Sequence, residues 1–325
     1  MKIVWLSIAC AALAAAPQTL TVMPPLHGEA AAFDPARGRF TVVGGRTPAD
    51  WLQGTWAWDG TAWRQTHAPD ASPTPRGGHA LGYDPERRAL VLFGGTNGPQ
   101  RLLCDTWTMQ GDVWRRTESS PCITDRVRNA SLVHDTKARR MLLVDGPAIA
   151  GDEPRPLRIW RRDDDNWTLV DDRGPRRVGF SAAAYDAARG VLVVPVLFGG
   201  PDAGTWEWNG TSWTHLTAAT PSHRQTYALA YDAVRRRVVL AGGQASTRGP
   251  YLDDLWTWDG KTWSPLSIAG DRPPGRGGAT LASDGRQRRL ILFGGYNDAL
   301  LGDLWTLGDR GWTKVSGQPS SAAQR

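Results

Sequence analysis

Apolar and polar positions alternate along this chain in short bursts, and the bursts return at a fixed interval. In "RGGHALGYDPERRALVLFGG" the alternation from Gly78 to Tyr83 predicts a strand and Asp84-Pro85 a turn. Ala89 to Phe93 then predicts a second strand, ending at Gly94-Gly95. "CDTWTMQGDVWRRT" predicts a third strand around Trp107, a tight turn, and a fourth strand around Trp114. The same order recurs with turn aspartates at Asp34, Asp135, Asp186, Asp232 and Asp284, a period of about fifty residues. No stretch sustains a helical period.

Four short strands per unit, repeated six times, predict an all-β fold: a six-bladed β-propeller with four antiparallel strands per blade. The units fall at approximately 28–75, 76–125, 126–176, 177–222, 223–275 and 276–317, within a propeller spanning 28–325. Two units depart from the pattern. The third has Asp145-Gly146 in place of the glycine pair, and the fourth has extra residues around Pro195, which predicts a bulge or strand break.

The outer half of each unit carries a repeated phrase: "WAWDGTAW" from Trp56, "WEWNGTSW" from Trp206 and "WTWDGKTW" from Trp256. The Asp259-Gly260 pair predicts a two-residue type I′ hairpin, setting Trp258 opposite Lys261 and Trp256 opposite Trp263. Seven-residue Trp spacing in every unit then places one aromatic pair per blade, filling the gaps between neighbouring blades. Trp51, Trp58, Trp208 and Trp258 fall outside those pairs.

These features resemble the Kelch repeat family of the galactose oxidase/Kelch propeller superfamily, in a secreted, bacterial-type form. The resemblance rests on Gly44-Gly45, Gly94-Gly95, Gly199-Gly200, Gly242-Gly243 and Gly294-Gly295, with a tryptophan in every fourth strand, over roughly Gly28 to Ser316. It implies a propeller and leaves function open, since such propellers include oxidases, sugar mutarotases and protein-binding adaptors. The copper oxidase branch needs paired histidines, a tyrosine ligand and a cysteine crosslinked to another tyrosine. Here the six histidines are scattered over separate units, so no metal and no cofactor is expected.

The short turns lie on one face of such a ring, and the loops after each glycine pair open on the other. Those loops run from Arg46 to Gln53, Thr96 to Leu103, Pro147 to Pro156, Gln244 to Asp253 and Tyr296 to Gly302. Function is expected on that long-loop face and at the channel mouth. Arg76, Arg128, Arg177, Arg224 and Arg276 stand just before the first strands and are the candidate ligand-binding residues, with Tyr227. Arginines converging there would favour an anionic ligand. In Kelch adaptors of ubiquitin ligases, arginines at an R-x-G-like position bind acidic peptides; the resemblance carries this to Arg76 and Arg276, and more loosely to Arg224. The competing expectation is that each arginine pairs with a local carboxylate. The recurring turn aspartates are expected to accept backbone hydrogen bonds.

Composition narrows the classes further. A 41% hydrophobic, 22% charged chain is globular, and a net charge of +6 spread over its length does not point to nucleic acid. The apolar start "MKIVWLSIACAALAAAPQ" reads as a signal peptide over residues 1–16 with a lead-in over 17–27. Export follows as an expectation, to periplasm or beyond, and Cys104 and Cys122 are expected to form a disulfide. No segment reads as a membrane span, and a monomer is expected. The reading reached is a binding module for a protein or glycan, of anionic character. The alternative is a mutarotase- or lyase-like enzyme on an acidic sugar, with Glu29 as general base and His79 as general acid on adjacent blades.

Overall fold

Second strands such as Ala89–Phe93, Arg140–Val144 and Arg289–Phe293 are near-continuous apolar runs, because each is covered on both faces. That requirement organises the molecule. The computed structural model describes residues 19–20, 22–67, 71–98, 101–117, 122–123, 129–145, 155–177 and 182–316. The signal-peptide segment and Arg128 lie outside those residues, as does the side chain of Arg177.

Each unit folds into its own antiparallel sheet, with strands ordered outward in sequence order. Six such blades form the ring, with inner strands Ala30–Asp34, Ala80–Asp84, Ser131–Asp135, Ala184–Asp186, Ala228–Asp232 and Thr280–Asp284. Thr19–Leu20 adds a short fifth strand outside blade 1, paired with Trp63 and Arg64. Arg155–Pro156 and Arg176–Arg177 pair as a separate ribbon beside blade 3. There is no α-helix among the described residues, and none long and apolar enough to cross a membrane.

The hydrophobic core is divided among the seams. One cluster joins Phe40 and Trp63 of blade 1 to Ile291 and Phe293 of blade 6, together with Met23 and Leu26 of the lead-in. Five further clusters bridge the remaining neighbouring blades in turn. Burial between blades, at roughly 25 cal/mol per Å² of apolar surface, therefore stabilises the ring as a whole.

The tryptophan phrase fills the seams, in a different register from the one its Asp-Gly suggested. Trp258 pairs with Trp263, and Trp256 with Pro265; Trp58–Trp63 and Trp208–Trp213 repeat the arrangement. The reason is the turn. Asp259 Oδ1 accepts the N–H groups of both Lys261 and Thr262 at 2.8 Å, which closes a four-residue turn. Asp59 and Asn209 do the same in their blades. Trp58, Trp208 and Trp258, expected outside the pairs, are thus among the largest fully or almost fully buried side chains.

The fourth-strand tryptophans also reach across the seams. Trp114 donates from Nε1 to Thr55 Oγ1, Trp167 to Thr106 and Trp263 to Thr205, each to the preceding blade at 2.8–2.9 Å. Where that blade carries Ile159 or Leu304 at the same position, the bond is different or missing. Trp213 donates to Asp171 Oδ1, and the Trp63 indole N–H has no partner.

Pro195 causes neither bulge nor break. Val191–Val196 runs straight through it, with Pro195 opposite Thr205. The inner neighbour pairs only as far as Val193, so a residue without an N–H removes nothing from the ladder there. The turn aspartates behave as expected: Asp34, Asp84, Asp135, Asp186 and Asp232 each accept two backbone N–H groups two and three residues on. Cys104 and Cys122 are disulfide-bonded, with Cα atoms 5.1 Å apart.

Candidate functional site

The three arginines in the motif position are inside the protein. Arg76 donates from Nε to the Thr74 carbonyl, from Nη1 to the Gly94 carbonyl and Asp105, and from Nη2 to Thr74 Oγ1 and Asp105. All five N–H groups are therefore used. Arg224 repeats this with Ser222, Gly242 and Asp254, and Arg276 uses Pro274, Gly294 and Asp303. The placement expected for them on the open face does not occur, and no donor of Arg76 or Arg224 is left for an outside anion.

Each of the three aspartates also accepts the indole N–H of the tryptophan two residues on, Trp107, Trp256 or Trp305. Burial alone would raise the Asp105 carboxyl, but the hydrogen bonds and charge of Arg76, with the Trp107 N–H, hold it below the usual range. Asp254 and Asp303 are held low by the same balance. Blade 3 inverts the pair. Arg158 stands where Asp105 stands and bonds Asp145 at 2.6 Å, which explains the acid in place of the first glycine.

Glu29, His79 and Tyr227 occupy equivalent places on the inner strands, and each reaches into the seam behind it. A Cβ on Gly44 would come within 2.8 Å of His79 Cε1, and one on Gly95 within 2.8 Å of His79 Cβ. The first glycine of a pair thus makes room for the next blade's side chain, and the second for its own blade's. Glu29 Oε1 lies against Gly294 in the same way, and the Tyr227 hydroxyl donates to the Pro195 carbonyl. Tyr227 is therefore spent on the seam between blades 4 and 5.

Glu29 and His79 point into different seams and are not brought together as a pair. Neither carboxylate oxygen of Glu29 and neither ring nitrogen of His79 has a hydrogen-bond partner or contact with solvent. Burial pushes the Glu29 carboxyl up to about 7, against the pull of the nearby N–H groups of Glu29 and Gly295. Burial, with the charge of Arg76, pushes the His79 imidazole down to about 3. At neutral pH the His79 imidazole is therefore neutral, while the Glu29 carboxyl is divided between its two forms.

The open feature is a central cavity of about 720 Å³. Small residues of the inner strands, such as Ala80, Ala130, Ala228 and Ala279, form much of its wall. At the long-loop end, the residue after four of the five glycine pairs bonds back to the chain before the inner strand: Arg46 to His27, Thr96 to Gly77, Gln244 to Gln225 and Tyr296 to Gly277. This places His27, Arg46, Trp51, Thr96 and Tyr296 around the mouth. Sequence reasoning set Trp51 apart from the paired tryptophans without assigning it to the site, and missed Tyr296, whose signal was an aromatic residue directly after a glycine pair. No group of three metal-ligating side chains occurs among the described residues.

No family model matches the chain. It is similar to tRNA wybutosine-synthesizing protein 4 of Aspergillus fumigatus, 25% identical over 265 residues, covering 68% of this chain and 24% of that protein. The protein of the same name from Emericella nidulans is 29% identical over 166 residues, covering 45% and 15%. The chain spans a quarter or less of the length of these curated relatives. Among solved structures, that of YjhT superposes with a TM-score of 0.63 at 13% identity, covering 90% of this chain and 98% of that one. This likeness establishes the propeller fold alone.

Proposed function

We propose that the protein is an exported binding module that takes its ligand at the long-loop mouth of the central channel. The observation that carries this reading is the mouth itself. It gathers Trp51 and Tyr296, both half-buried, with exposed His27 and Arg46 around a cavity of about 720 Å³. Pockets of this size, lined by apolar surface with a few convergent polar groups, are the usual ligand sites of rigid scaffolds. Arg46, Arg101 and Arg248 are exposed, make no ion pair among the described residues and stand in the long loops, where they favour a ligand with anionic character. The Cys104–Cys122 bond supports export, because disulfides persist in oxidising compartments.

The test is an array of glycans and peptides probed with the purified protein and with a Trp51→Ala, Arg46→Ala double variant. Hits lost in the variant are expected. Hits retained by it, or no hits at all, would remove the mouth as the binding surface.

A second reading, an enzyme acting on an acidic sugar, draws support from Glu29. A carboxyl with its proton poised near neutral pH suits general acid–base work. It requires the seam to open, since the oxygens have no solvent contact. Turnover of a uronic acid that vanishes in Glu29→Gln, with binding unchanged, would favour it over the binding module.

A further inference from the structure

A collar of left-handed residues rings the channel mouth. Gly28, Gly78, Asn129, Thr226 and Gly278 stand one residue before the equivalent of His79 and have φ between 54° and 73°. The turn into each inner strand imposes this conformation. The collar is hydrogen-bonded from blade to blade: Gly78 N–H donates to the Gly28 carbonyl at 2.7 Å, Asn129 to Gly78 at 2.6 Å, and Gly278 to Thr226 at 2.7 Å. Glycine adopts such a φ freely and asparagine tolerates it. Thr226, at φ 54°, is β-branched, the side-chain type for which this region is least favourable.

The strained residue also carries an unused group. Thr226 Oγ1 is shielded from solvent and has no hydrogen bond of proper geometry, although the Tyr296 hydroxyl lies beside it. Both groups stand over Gly277, where a Cβ would come within 2.5 Å of the Thr226 oxygen and 3.4 Å of the Tyr296 hydroxyl. The Tyr296 ring rests on the collar, close enough that a Cβ on Gly278 would approach its Cε1 at 2.9 Å. Tyr251 and His27 meet that ring edge-on, at 5.6 and 5.4 Å between centroids. The Tyr296 hydroxyl reaches Gln244 Oε1 at 3.4 Å, a long bond that a better partner could replace.

We propose that Thr226, Gln244, Tyr251, Tyr296 and His27 form a subsite for one neutral saccharide ring of a glycan ligand. Backbone strain held at a site with an unsatisfied hydroxyl is characteristic of a binding position. The chemistry of the groups gives the ligand class. The phenolic hydroxyls offer donors and acceptors without charge, and the Thr226 hydroxyl and Gln244 carboxamide, both shielded from solvent, position the Tyr296 hydroxyl from behind. His27 keeps solvent contact at the mouth, yet partial burial still lowers its imidazole from the ordinary value, so this member adds no fixed cation. The half-buried Tyr296 ring lines the cavity mouth and supplies an aromatic surface for the C–H face of a sugar. The set holds no fixed cation to offset the desolvation of a carboxylate or phosphate, whereas a polyhydroxylated ring finds neutral partners for several of its oxygens. The inference rests on the mouth being the binding surface.

The experiment is saturation-transfer NMR on the full chain with the methyl glycosides of glucose, galactose, mannose and N-acetylglucosamine, beside an octaglutamate peptide. Transfer to the ring protons of at least one neutral glycoside is expected, with affinity reduced at least fivefold in Thr226→Gly and in Tyr296→Phe. Thr226→Gly is also expected to keep or raise the melting temperature, since glycine relieves the strain. Unchanged affinity in both variants, or no transfer from any of the four glycosides, overturns the subsite. Binding of octaglutamate alone, lost with Arg46→Ala, overturns it while leaving the mouth as the binding surface.

Discussion

Arg76 and Asp105 meet in a two-point ion pair, Nη1 to Oδ1 at 2.5 Å and Nη2 to Oδ2 at 3.0 Å, at a place where the arginine has no solvent contact. The pair joins the entrance of the inner strand to the start of the third strand, and Trp107 is tied to the same carboxylate. Arg76→Ala leaves the largely buried Asp105 carboxylate with the Trp107 N–H but without its buried counter-charge, and removes the side-chain donor to the Gly94 carbonyl. Breaking such a pair from one side costs roughly 3–5 kcal/mol. Urea unfolding of Arg76→Ala is expected to show a loss of that order, insensitive to added salt. A change under about 0.5 kcal/mol, typical of surface sites, would mean the side chain is free in solution.

The cross-seam bond from Trp263 Nε1 to Thr205 Oγ1, 2.8 Å long, is testable by an isosteric change. Thr205→Val keeps the shape and strands a buried N–H, at a cost of about 1–3 kcal/mol. The Thr205→Val, Trp263→Phe double variant should show clear non-additivity in a thermodynamic cycle. Strict additivity would show that the two side chains do not interact.

Glu29 and His79 give opposite pH dependences. The Glu29 carboxyl, pushed up to about 7 by burial, holds its proton longer in the folded protein than in the unfolded chain. Stability from this group is full below about 4.5 and is lost as pH rises through 7, by about 3 kcal/mol at roughly 1.4 kcal/mol per pH unit. The His79 imidazole, pushed down to about 3 by burial and by Arg76, takes a proton more readily when unfolded. Its contribution is full above 6.5 and is lost as pH falls toward 3. Thermal melts of Glu29→Gln should therefore match wild type at pH 5 and exceed it at pH 8. Equal melting temperatures at both values would place the Glu29 carboxylate in water.

Reduction of the Cys104–Cys122 bond should loosen the outer hairpin of blade 2. A cross-link spanning 18 residues contributes on the order of 3 kcal/mol in the chain-entropy account. The Cys104→Ser, Cys122→Ser variant is expected to unfold at lower urea, and dithiothreitol should bring wild type down to it. No response of wild type to the reductant would show the bridge to be absent.

The ring was readable because its units repeat. Alternation, glycine pairs and turn aspartates place the strands of every blade, and each aspartate accepts the backbone bonds its position implies. The hairpin register was not readable from Asp259-Gly260, because the carboxylate selects a four-residue turn by bonding Lys261 and Thr262. The arginines illustrate a different limit. Their partners lie 27 to 30 residues further on, so local reading sees only unpaired cations. A signal was nevertheless present: Asp-x-Trp at the entrance of the third strand occurs in blades 2, 5 and 6, the blades that carry Arg76, Arg224 and Arg276. Thr226 gave no signal, since only backbone geometry distinguishes it from any other threonine.

Each blade completes its own ladder from consecutive strands, and neighbours are held by packed side chains, cross-seam side-chain bonds and a few backbone bonds between loops, with no strand shared between blades. A gene built this way can gain or lose a repeat by unequal crossing-over without re-pairing a single strand. Its products differ in the wedge angle between neighbours and in the bore of the ring. Mutation in one unit is likewise judged at two seams and no more. Blades can therefore differ one from another, as the third does with Asp145 at the first glycine position bonded to Arg158 at the aspartate position.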